Sequence, residues 1–235
     1  MILFLRTLVF YLGLVAIVLI LTPGLVVALF LPQLSRNRFF TIWGRTIIWW
    51  QKVICGLGFE VIGRENIPQG NGIILCKHQS AWETFTLQLV FPPQTWVLKK
   101  ILLWIPFFGW GLALAGSIAI DRARGTQALK QVIEKGTDRL KKGLWVVIFP
   151  EGTRILPGQS GKYNPGGAML AVRSGYPVVP VAHNAGSYWP RSGWPIRPGV
   201  ITMVIGPVID PAGMKPGEIN QRVAAWIEEQ MKEME

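Results

Sequence analysis

The sequence contains few of the residues from which metal centres and disulfide frameworks are built. Its 235 residues include only two cysteines, Cys55 and Cys76, and two histidines, His78 and His183. The cysteines do not form a Cys-x-x-Cys pair, and these scattered residues offer too few ligands for a structural metal site. We therefore expect no metal site and no disulfide framework, and nothing in the sequence indicates an exported protein.

Acidic residues are also scarce. The chain has 13 Asp and Glu against 24 Lys and Arg, a formal net charge of +11, yet only 16% of its residues are charged and its mean hydropathy is +0.35. A basic but apolar protein is a poor match to nucleic-acid binding, which uses polar basic surfaces. It fits a protein held against an anionic membrane, where each nearby cation contributes on the order of 1 kcal/mol. The 11 tryptophans favour a membrane–water boundary and a protein core equally.

The amino-terminal segment is almost entirely apolar. Between Met1 and Leu31 the only charged side chain is Arg6, and no small-residue cleavage site for a signal peptide follows. Pro23-Gly24 interrupts this run, because proline breaks a helix, and about 15 residues remain on one side where a membrane span needs about 20. Two interpretations stay open: a kinked span, or a pair of short elements that enter one leaflet.

Aromatic residues and cations follow the apolar segment. Residues 39–57 mix tryptophan and phenylalanine with single cations, a composition typical of an interfacial amphipathic segment. Arg36, Arg38, Arg45 and Lys52 all lie after the apolar run, and positive residues mark the cytoplasmic side of a membrane. We predict a membrane-anchoring helical segment over residues 1–57 and a cytoplasmic domain over residues 58–235.

After Gly58, short apolar runs alternate with segments of helical periodicity. The strand predictions are Phe59–Ile62, Gly72–Cys76, Thr95–Leu98, Ser117–Ile120, Leu144–Phe149, Pro177–Val181 and Val200–Ile205. Helices are predicted at Gly125–Lys142, Gly166–Ser174 and Pro216–Met234. This alternation predicts an α/β fold with a mixed, largely parallel sheet flanked by helices, preceded by the membrane-embedded helical segment.

His78 and Glu83 form the first group that could carry chemistry. His78 follows a predicted buried strand and precedes a helix, so it lies at a strand end, where α/β folds place their sites. An imidazole is able to take a proton from an alcohol at neutral pH, and Glu83 would hold the other ring nitrogen. The structural alternative is a capping box, in which Ser80 caps the helix and Glu83 bonds back to the N–H of the cap. The two roles are compatible.

Residues 149–154 read Phe-Pro-Glu-Gly-Thr-Arg and leave a predicted strand as a loop. Gly152 allows the backbone to approach a ligand closely, and Arg154 offers a planar, permanently charged group to a phosphate. Arg122 and the pair Lys99-Lys100 follow two other predicted strands and are further phosphate candidates. The alternative for each cation is a solvated position on the surface.

Four blocks in fixed order resemble those of the glycerolipid acyltransferase family, the enzymes that acylate 1-acyl-sn-glycerol-3-phosphate. They are His78-Gln-Ser-Ala-Trp-Glu83, Gly116-Ser-Ile-Ala-Ile-Asp-Arg122, Phe149-Pro-Glu-Gly-Thr-Arg154 and Val178-Val-Pro-Val181. The first block departs from the family, which usually ends it with Asp. Glu83 keeps the carboxylate but adds a methylene, and this changes the geometry of a histidine–carboxylate pair.

The resemblance implies transfer of a fatty acyl group from acyl carrier protein or coenzyme A to the sn-2 hydroxyl of 1-acyl-sn-glycerol-3-phosphate, giving phosphatidic acid without a cofactor. It implies that His78 is the base and that Glu83 orients it. The acceptor would be bound by Lys100, Arg122, Glu151, Gly152, Thr153 and Arg154. It also implies a bacterial inner membrane location, with membrane lipids and acyl carrier protein as partners.

Two other functions fit the same features. Related proteins acylate lysolipids whose head groups lack phosphate, such as lyso-ornithine lipid. A non-catalytic protein that binds anionic lipid at a membrane surface needs the basic and aromatic residues but not His78. Within the enzymatic interpretation, direct attack by the acceptor hydroxyl is simpler than an acyl-enzyme, because Ser80 is better used as a cap and Cys76 belongs to a strand.

Overall fold

The structure, a computed structural model, describes residues 1–234 and is organised around one seven-stranded sheet. The strands are β1 (Leu57–Ile62), β2 (Ile73–Cys76), β3 (Gln94–Lys99), β4 (Ile118–Ile120), β5 (Trp145–Ile148), β6 (Val178–His183) and β7 (Gly199–Ile205). Their spatial order is β1-β7-β6-β2-β5-β3-β4, and only the β6–β7 pair among them is antiparallel. The predicted mixed, largely parallel sheet is confirmed, and each predicted strand is present.

Helices surround this sheet. They are α1 (Ile2–Leu21), α2 (Gly24–Leu29), α3 (Gln33–Cys55), α4 (Trp82–Val90), α5 (Phe108–Leu114), α6 (Thr126–Lys141), α7 (Gly166–Ser174), α8 (Ala185–Tyr188) and α9 (Pro216–Met234). Short 3-10 turns cover Lys100–Trp104 and Arg122–Arg124. The helix predictions that correspond to α6, α7 and α9 are confirmed, whereas the sequence analysis does not predict the short helices α5 and α8.

The central strands are buried on both faces, which is why they read as continuous apolar runs. Along β2, Ile74 and Cys76 belong to the core that includes residues of α1, α3 and α4. Ile73 and Leu75, which point the other way, belong to the core shared with α6, α7 and α9. The sheet therefore separates one face covered by the amino-terminal helices from a second face covered by the carboxy-terminal ones.

The apolar run before Pro23 forms a longer helix than the sequence analysis expects. Helix α1 has 20 residues, because it begins at Ile2 and includes Arg6, and its length and mean hydropathy of 2.5 would allow it to cross a membrane. The interruption falls after this helix, at Thr22-Pro23. Helix α3 then returns antiparallel to α1, so that Trp50 donates a hydrogen bond to the carbonyl of Phe10 at 3.2 Å.

Helix α1 is also fastened to the α/β domain through its amino-terminal half. The Thr7 hydroxyl accepts the N–H of Ile196 at 3.0 Å, and the Tyr11 hydroxyl donates to the carbonyl of Gly193 at 2.8 Å. Between them Phe10 is fully buried and packs edge-on against Trp189. These contacts join α1 to the core of the domain, while the proposed division at residue 58 stays a prediction.

Candidate functional site

The candidate site begins at the carboxyl end of β2. The N–H of Lys77 still donates to the carbonyl of Val181 in β6, at 2.9 Å, and the chain leaves the sheet at the next residue. His78 is therefore held at the edge where the parallel strands end, which is the usual place for a site in an α/β sheet. Helix α4 begins four residues later at Trp82.

His78 and Glu83 meet as the sequence predicts. The Nδ1 of His78 lies 2.7 Å from the Oε1 of Glu83; the Glu83 side chain is fully buried, and that of His78 is 16% exposed. Burial raises the pKa of Glu83, but His183, His78 and the N–H of Ser80 together hold it below its ordinary value. Glu83 is thus a carboxylate at neutral pH. It accepts the Nδ1 proton of His78 and leaves Nε2 for a substrate.

The capping alternative is realised at the same time. Glu83 accepts the N–H groups of Gln79 and Ser80, each at 3.0 Å, which is the returning half of a capping box. The other half differs, because Ala81 occupies the N-cap position and the Ser80 hydroxyl accepts the N–H of Trp82 at 3.2 Å. One carboxylate therefore stabilises the start of α4 and orients the imidazole.

His183, the other histidine of the chain, lies beside this pair. Its ring is fully buried at the end of β6; Nε2 contacts the carbonyl of Lys77 at 3.0 Å, and Nδ1 accepts the N–H of Ala185 at 3.2 Å. These two contacts require a neutral ring with its proton on Nε2, and burial lowers the pKa of His183 in agreement. Its Nε2 is 3.8 Å from the Oε2 of Glu83.

The loop that begins at Phe149 contacts both the ring and the backbone of His78. The ring of Phe149 stacks on the imidazole with centroids 4.1 Å apart. The Oε2 of Glu151 accepts the N–H of His78 at 2.9 Å, and the N–H of Ile155 donates to the carbonyl of His78 at 2.8 Å. The loop therefore fixes the ring and both backbone polar groups of one residue.

Gly152 is required by the geometry of this loop. Its φ is +70°, a conformation that side chains with a Cβ rarely adopt, and a Cβ there would lie 2.9 Å from the Nη1 of Arg122. Glycine thus allows the loop to approach Arg122. Thr153, the next residue, is exposed.

A buried ion pair behind the loop was missed by the sequence analysis. The Nζ of Lys77 lies 2.8 Å from the Oε1 of Glu151 and 2.8 Å from the Oε1 of Glu228 in α9, and the Lys77 side chain is only 1% exposed. Burial raises the pKa of Glu151, and the ammonium of Lys77 opposes that effect. The available signal was a lysine that directly continues a buried strand, although its distant partner Glu228 left no local pattern.

Some of the predicted cations share a cavity. Lys99, Lys100 and Arg122 line a cavity of about 490 Å³, together with Ile101 and Trp104. Arg122 also borders a second cavity of about 310 Å³ that reaches Phe149 and Gly152, and so connects the cations to the stacked pair of Phe149 and His78. Burial lowers the pKa of Arg122, although the guanidinium remains charged at neutral pH.

Arg154, at the far end of the same loop, lines neither of the two cavities that Arg122 borders. Lys100 and Arg122 share one of these cavities, and a common phosphate site for Lys100, Arg122 and Arg154 stays a prediction.

A third cavity, of about 410 Å³, is almost entirely apolar. It lies between the amino-terminal helices and the domain, and six of the residues that line it are Leu14, Val18, Trp43, Phe85, Trp96 and Phe107. Phe85 lies on α4, the helix that also carries Glu83. The segment from Ile101 to Leu114 contributes several of the residues that line this cavity.

Comparison with known proteins gives consistent matches. Residues 58–184 match the family model described as Acyltransferase. The chain is 50% identical over 234 residues to the 1-acyl-sn-glycerol-3-phosphate acyltransferase of Pseudomonas aeruginosa, covering 97% of this chain and 91% of that protein. It is 32% identical over 198 residues to the enzyme of that name from Saccharomyces cerevisiae, covering 78% of this chain and 63% of that protein.

A solved structure is similar over nearly the whole chain. The crystal structure of the 1-acyl-sn-glycerophosphate (LPA) acyltransferase PlsC from Thermotoga maritima superimposes with a TM-score of 0.79 at 26% sequence identity. The superposition covers 98% of this chain and 95% of that one, and so includes the amino-terminal helices as well as the sheet.

Replacement of Glu83 by glutamine separates its two roles. In Glu83→Gln the new side chain retains an oxygen for the N–H groups at the start of α4 but loses the charge that faces His78. We expect turnover in an acyl-transfer assay to fall by roughly 10²–10⁴-fold while the melting temperature changes little. The control is Glu134→Gln, which alters an exposed carboxylate on α6. A large loss of melting temperature with turnover preserved would establish a purely structural role.

Proposed function

The chain belongs to the acyltransferase family, and we propose that it transfers a fatty acyl group from a thioester to the sn-2 hydroxyl of 1-acyl-sn-glycerol-3-phosphate, which gives phosphatidic acid. The observation that carries this proposal is the pairing of His78 with Glu83 at 2.7 Å, together with the cavity that Lys100 and Arg122 line. The relatives that match the chain over most of its length are named for this acyl transfer.

The proposed chemistry needs one base and no enzyme nucleophile. The Nε2 of His78 takes the proton of the sn-2 hydroxyl as its oxygen attacks the thioester carbonyl carbon. Glu83 stabilises the imidazolium that forms, as the carboxylate does in a catalytic triad. When the tetrahedral intermediate collapses, the carbon–sulfur bond breaks and the departing thiol receives the proton from His78. The stack with Phe149 keeps the imidazole in one orientation during both proton transfers.

The phosphate of the acceptor is proposed to bind in the cavity lined by Lys100 and Arg122. A guanidinium offers two parallel donors to a phosphate, and partial burial strengthens that attraction. Gly152 and Thr153 border the acceptor from the neighbouring loop, and Glu151 holds that loop in place. Arg154, at the far end of the loop, is proposed as a further ligand of the same phosphate.

The apolar cavity beneath α1 supplies space for a fatty chain. Its walls come from the amino-terminal helices and from the domain, so a chain bound there would be continuous with the lipid surrounding α1. The donor is proposed to be acyl carrier protein or coenzyme A carrying the acyl group as a thioester. Either donor brings all the reactive atoms, so the proposed reaction proceeds without a cofactor.

The acceptor and the need for His78 are tested in one assay. Purified protein in lipid vesicles is supplied with acyl coenzyme A or acyl carrier protein and with either 1-acyl-sn-glycerol-3-phosphate or lyso-ornithine lipid. We expect phosphatidic acid from the first acceptor, little product from the second, and a loss on the order of 10²–10⁴-fold in His78→Ala. Preferred acylation of lyso-ornithine lipid would show that this lipid, and not 1-acyl-sn-glycerol-3-phosphate, is the acceptor. Equal product from folded His78→Ala would show that His78 is not the base. Vesicle binding without any product would indicate a lipid-binding protein.

The phosphate site makes a separate prediction. Arg122→Ala should raise the KM for a short-chain soluble acceptor by about 10–100-fold, because a charge-assisted hydrogen bond contributes about 1.5–3 kcal/mol. Arg154→Ala should raise it less, since Arg154 does not line the cavity that Lys100 and Arg122 share. The matched control is Arg124→Ala, two residues along the same turn, whose exposed side chain pairs with Asp121. An unchanged KM in Arg122→Ala would exclude it from the acceptor site.

The proposed location is the cytoplasmic side of a bacterial inner membrane, with α1 inserted in one leaflet. Thr7 and Tyr11 are hydrogen-bonded to the α/β domain, which leaves about ten residues of α1 beyond them. At 1.5 Å per residue that remainder spans about 15 Å, roughly half of a hydrocarbon core. This insertion keeps Arg6 on the same side as Arg36 and brings the His78 site near the lipid head groups.

Cysteine labelling tests this topology. We expect single cysteines at positions 3 and 35 to react with an impermeant thiol reagent from the same, cytoplasmic side in inverted vesicles. The unmodified chain is the background control, because Cys55 and Cys76 are buried. Labelling of position 3 only in intact cells, with position 35 labelled only in inverted vesicles, would show that α1 crosses the membrane.

A further inference from the structure

The ammonium of Lys77 is enclosed by two carboxylates from distant parts of the chain. Glu151 comes from the loop after β5 and Glu228 from helix α9, and each places an oxygen 2.8 Å from the Nζ. A lysine side chain that is 1% exposed has lost its hydration, so it must be compensated by neighbouring charge. Glu151 alone would supply one charge, and Glu228 adds a second from the opposite direction.

Glu228 also binds the later part of the loop that contains Glu151. It accepts hydrogen bonds from the hydroxyl of Tyr163, at 2.8 Å, and from the hydroxyl of Ser160. The Nζ of Lys77 lies 3.4 Å from the carbonyl of Gln159, and the amide of Asn220 on α9 donates to the carbonyl of Tyr163 at 3.1 Å. Helix α9 therefore holds the later part of this loop, at Ser160 and Tyr163.

We propose that Lys77 and Glu228 are positioning residues for His78, acting through Glu151. Glu228 sets the place of the Lys77 ammonium. The ammonium holds Glu151 in the orientation in which its other oxygen accepts the N–H of His78 at 2.9 Å. This relay fixes the backbone of His78, whereas Glu83 fixes its ring. Neither positioning residue touches the reacting atoms.

The relay explains why two carboxylates, Glu83 and Glu151, both bind His78. An imidazole that pivots about its backbone by about 1 Å would lose the alignment of Nε2 with an incoming hydroxyl, and such a displacement can cost about 10²-fold in rate. Glu83 by itself restrains only Nδ1. Restraint of the backbone N–H by Glu151 removes the remaining freedom, provided that Glu151 is itself held by Lys77.

The test rests on the proposed function, because it measures phosphatidic acid formation. In Glu228→Gln the charge is removed while the size and one acceptor oxygen are kept. We expect kcat to fall about tenfold, with the KM values for both substrates within about twofold of wild type, since the loss affects alignment and not binding. The matched control is Glu229→Gln, an exposed neighbour on the same helix, which should leave kcat and both KM values unchanged.

A second variant protects the test against a failure of Glu228→Gln to fold. Tyr163→Phe removes one donor to Glu228 and leaves every charge in place. We expect kcat to fall about two- to threefold, and the double variant to lose less than the product of the two single losses, because both act through one group. All rates are compared per folded protein, at a temperature well below each melting transition.

The outcomes separate this inference from the proposed function. A kcat of folded Glu228→Gln within twofold of wild type, or an equal loss in Glu229→Gln, would overturn the positioning role. If Glu228→Gln does not fold, an unchanged kcat in Tyr163→Phe would do so. In each of these cases, product formation by the wild-type protein leaves the acyl transfer itself intact; absence of product from the wild type would instead reject the proposed function.

Discussion

The candidate site depends on a carboxylate that has been removed from water. Glu83 has no exposed side-chain surface, and a carboxyl group buried without partners would take up a proton. The N–H groups of Gln79 and Ser80 at the start of α4 prevent this, because they donate to the ionised form. The beginning of one helix thus maintains the charge that orients His78. The added methylene of Glu, compared with the Asp usual in the family, still allows a contact of 2.7 Å.

The fold makes a second buried charge possible on the other side of the same histidine. Because parallel strands end at one edge of the sheet, the loop after β5 crosses the end of β2, and its Glu151 meets both Lys77 and the backbone of His78. Burying each ion costs several kcal/mol, and the two carboxylates around Lys77 offset that cost. The ring of His78 is held by Glu83 and Phe149, and its backbone by Glu151 and Ile155, so the protein itself supplies the rigidity of the site.

Short-range sequence patterns predicted the strands, three of the helices and the His78–Glu83 pair. The apolar runs produced the seven strands, the periodic segments produced α6, α7 and α9, and the five-residue interval between His78 and Glu83 brought them together across the start of one helix. The contacts of His183, Lys77 and Glu228 could not be predicted, because they depend on β6 lying next to β2 and on α9 packing against β6. The role of Arg154 at the phosphate stays a prediction, because neither cavity bordered by Arg122 includes it.

The attachment of α1 has a consequence for how this protein can be handled. Its amino-terminal half fills part of the domain core, since Phe10 is fully buried against Trp189 and the Thr7 hydroxyl caps the Ile196 N–H. We therefore expect deletion of α1 to destabilise the α/β domain. It would uncover the apolar surfaces of Trp43 and Ile47 and remove a hydrogen-bond partner of the Ile196 N–H. Helix α1 and the sheet share one hydrophobic core, so a change in α1 is also a change in the stability of the domain that holds His78.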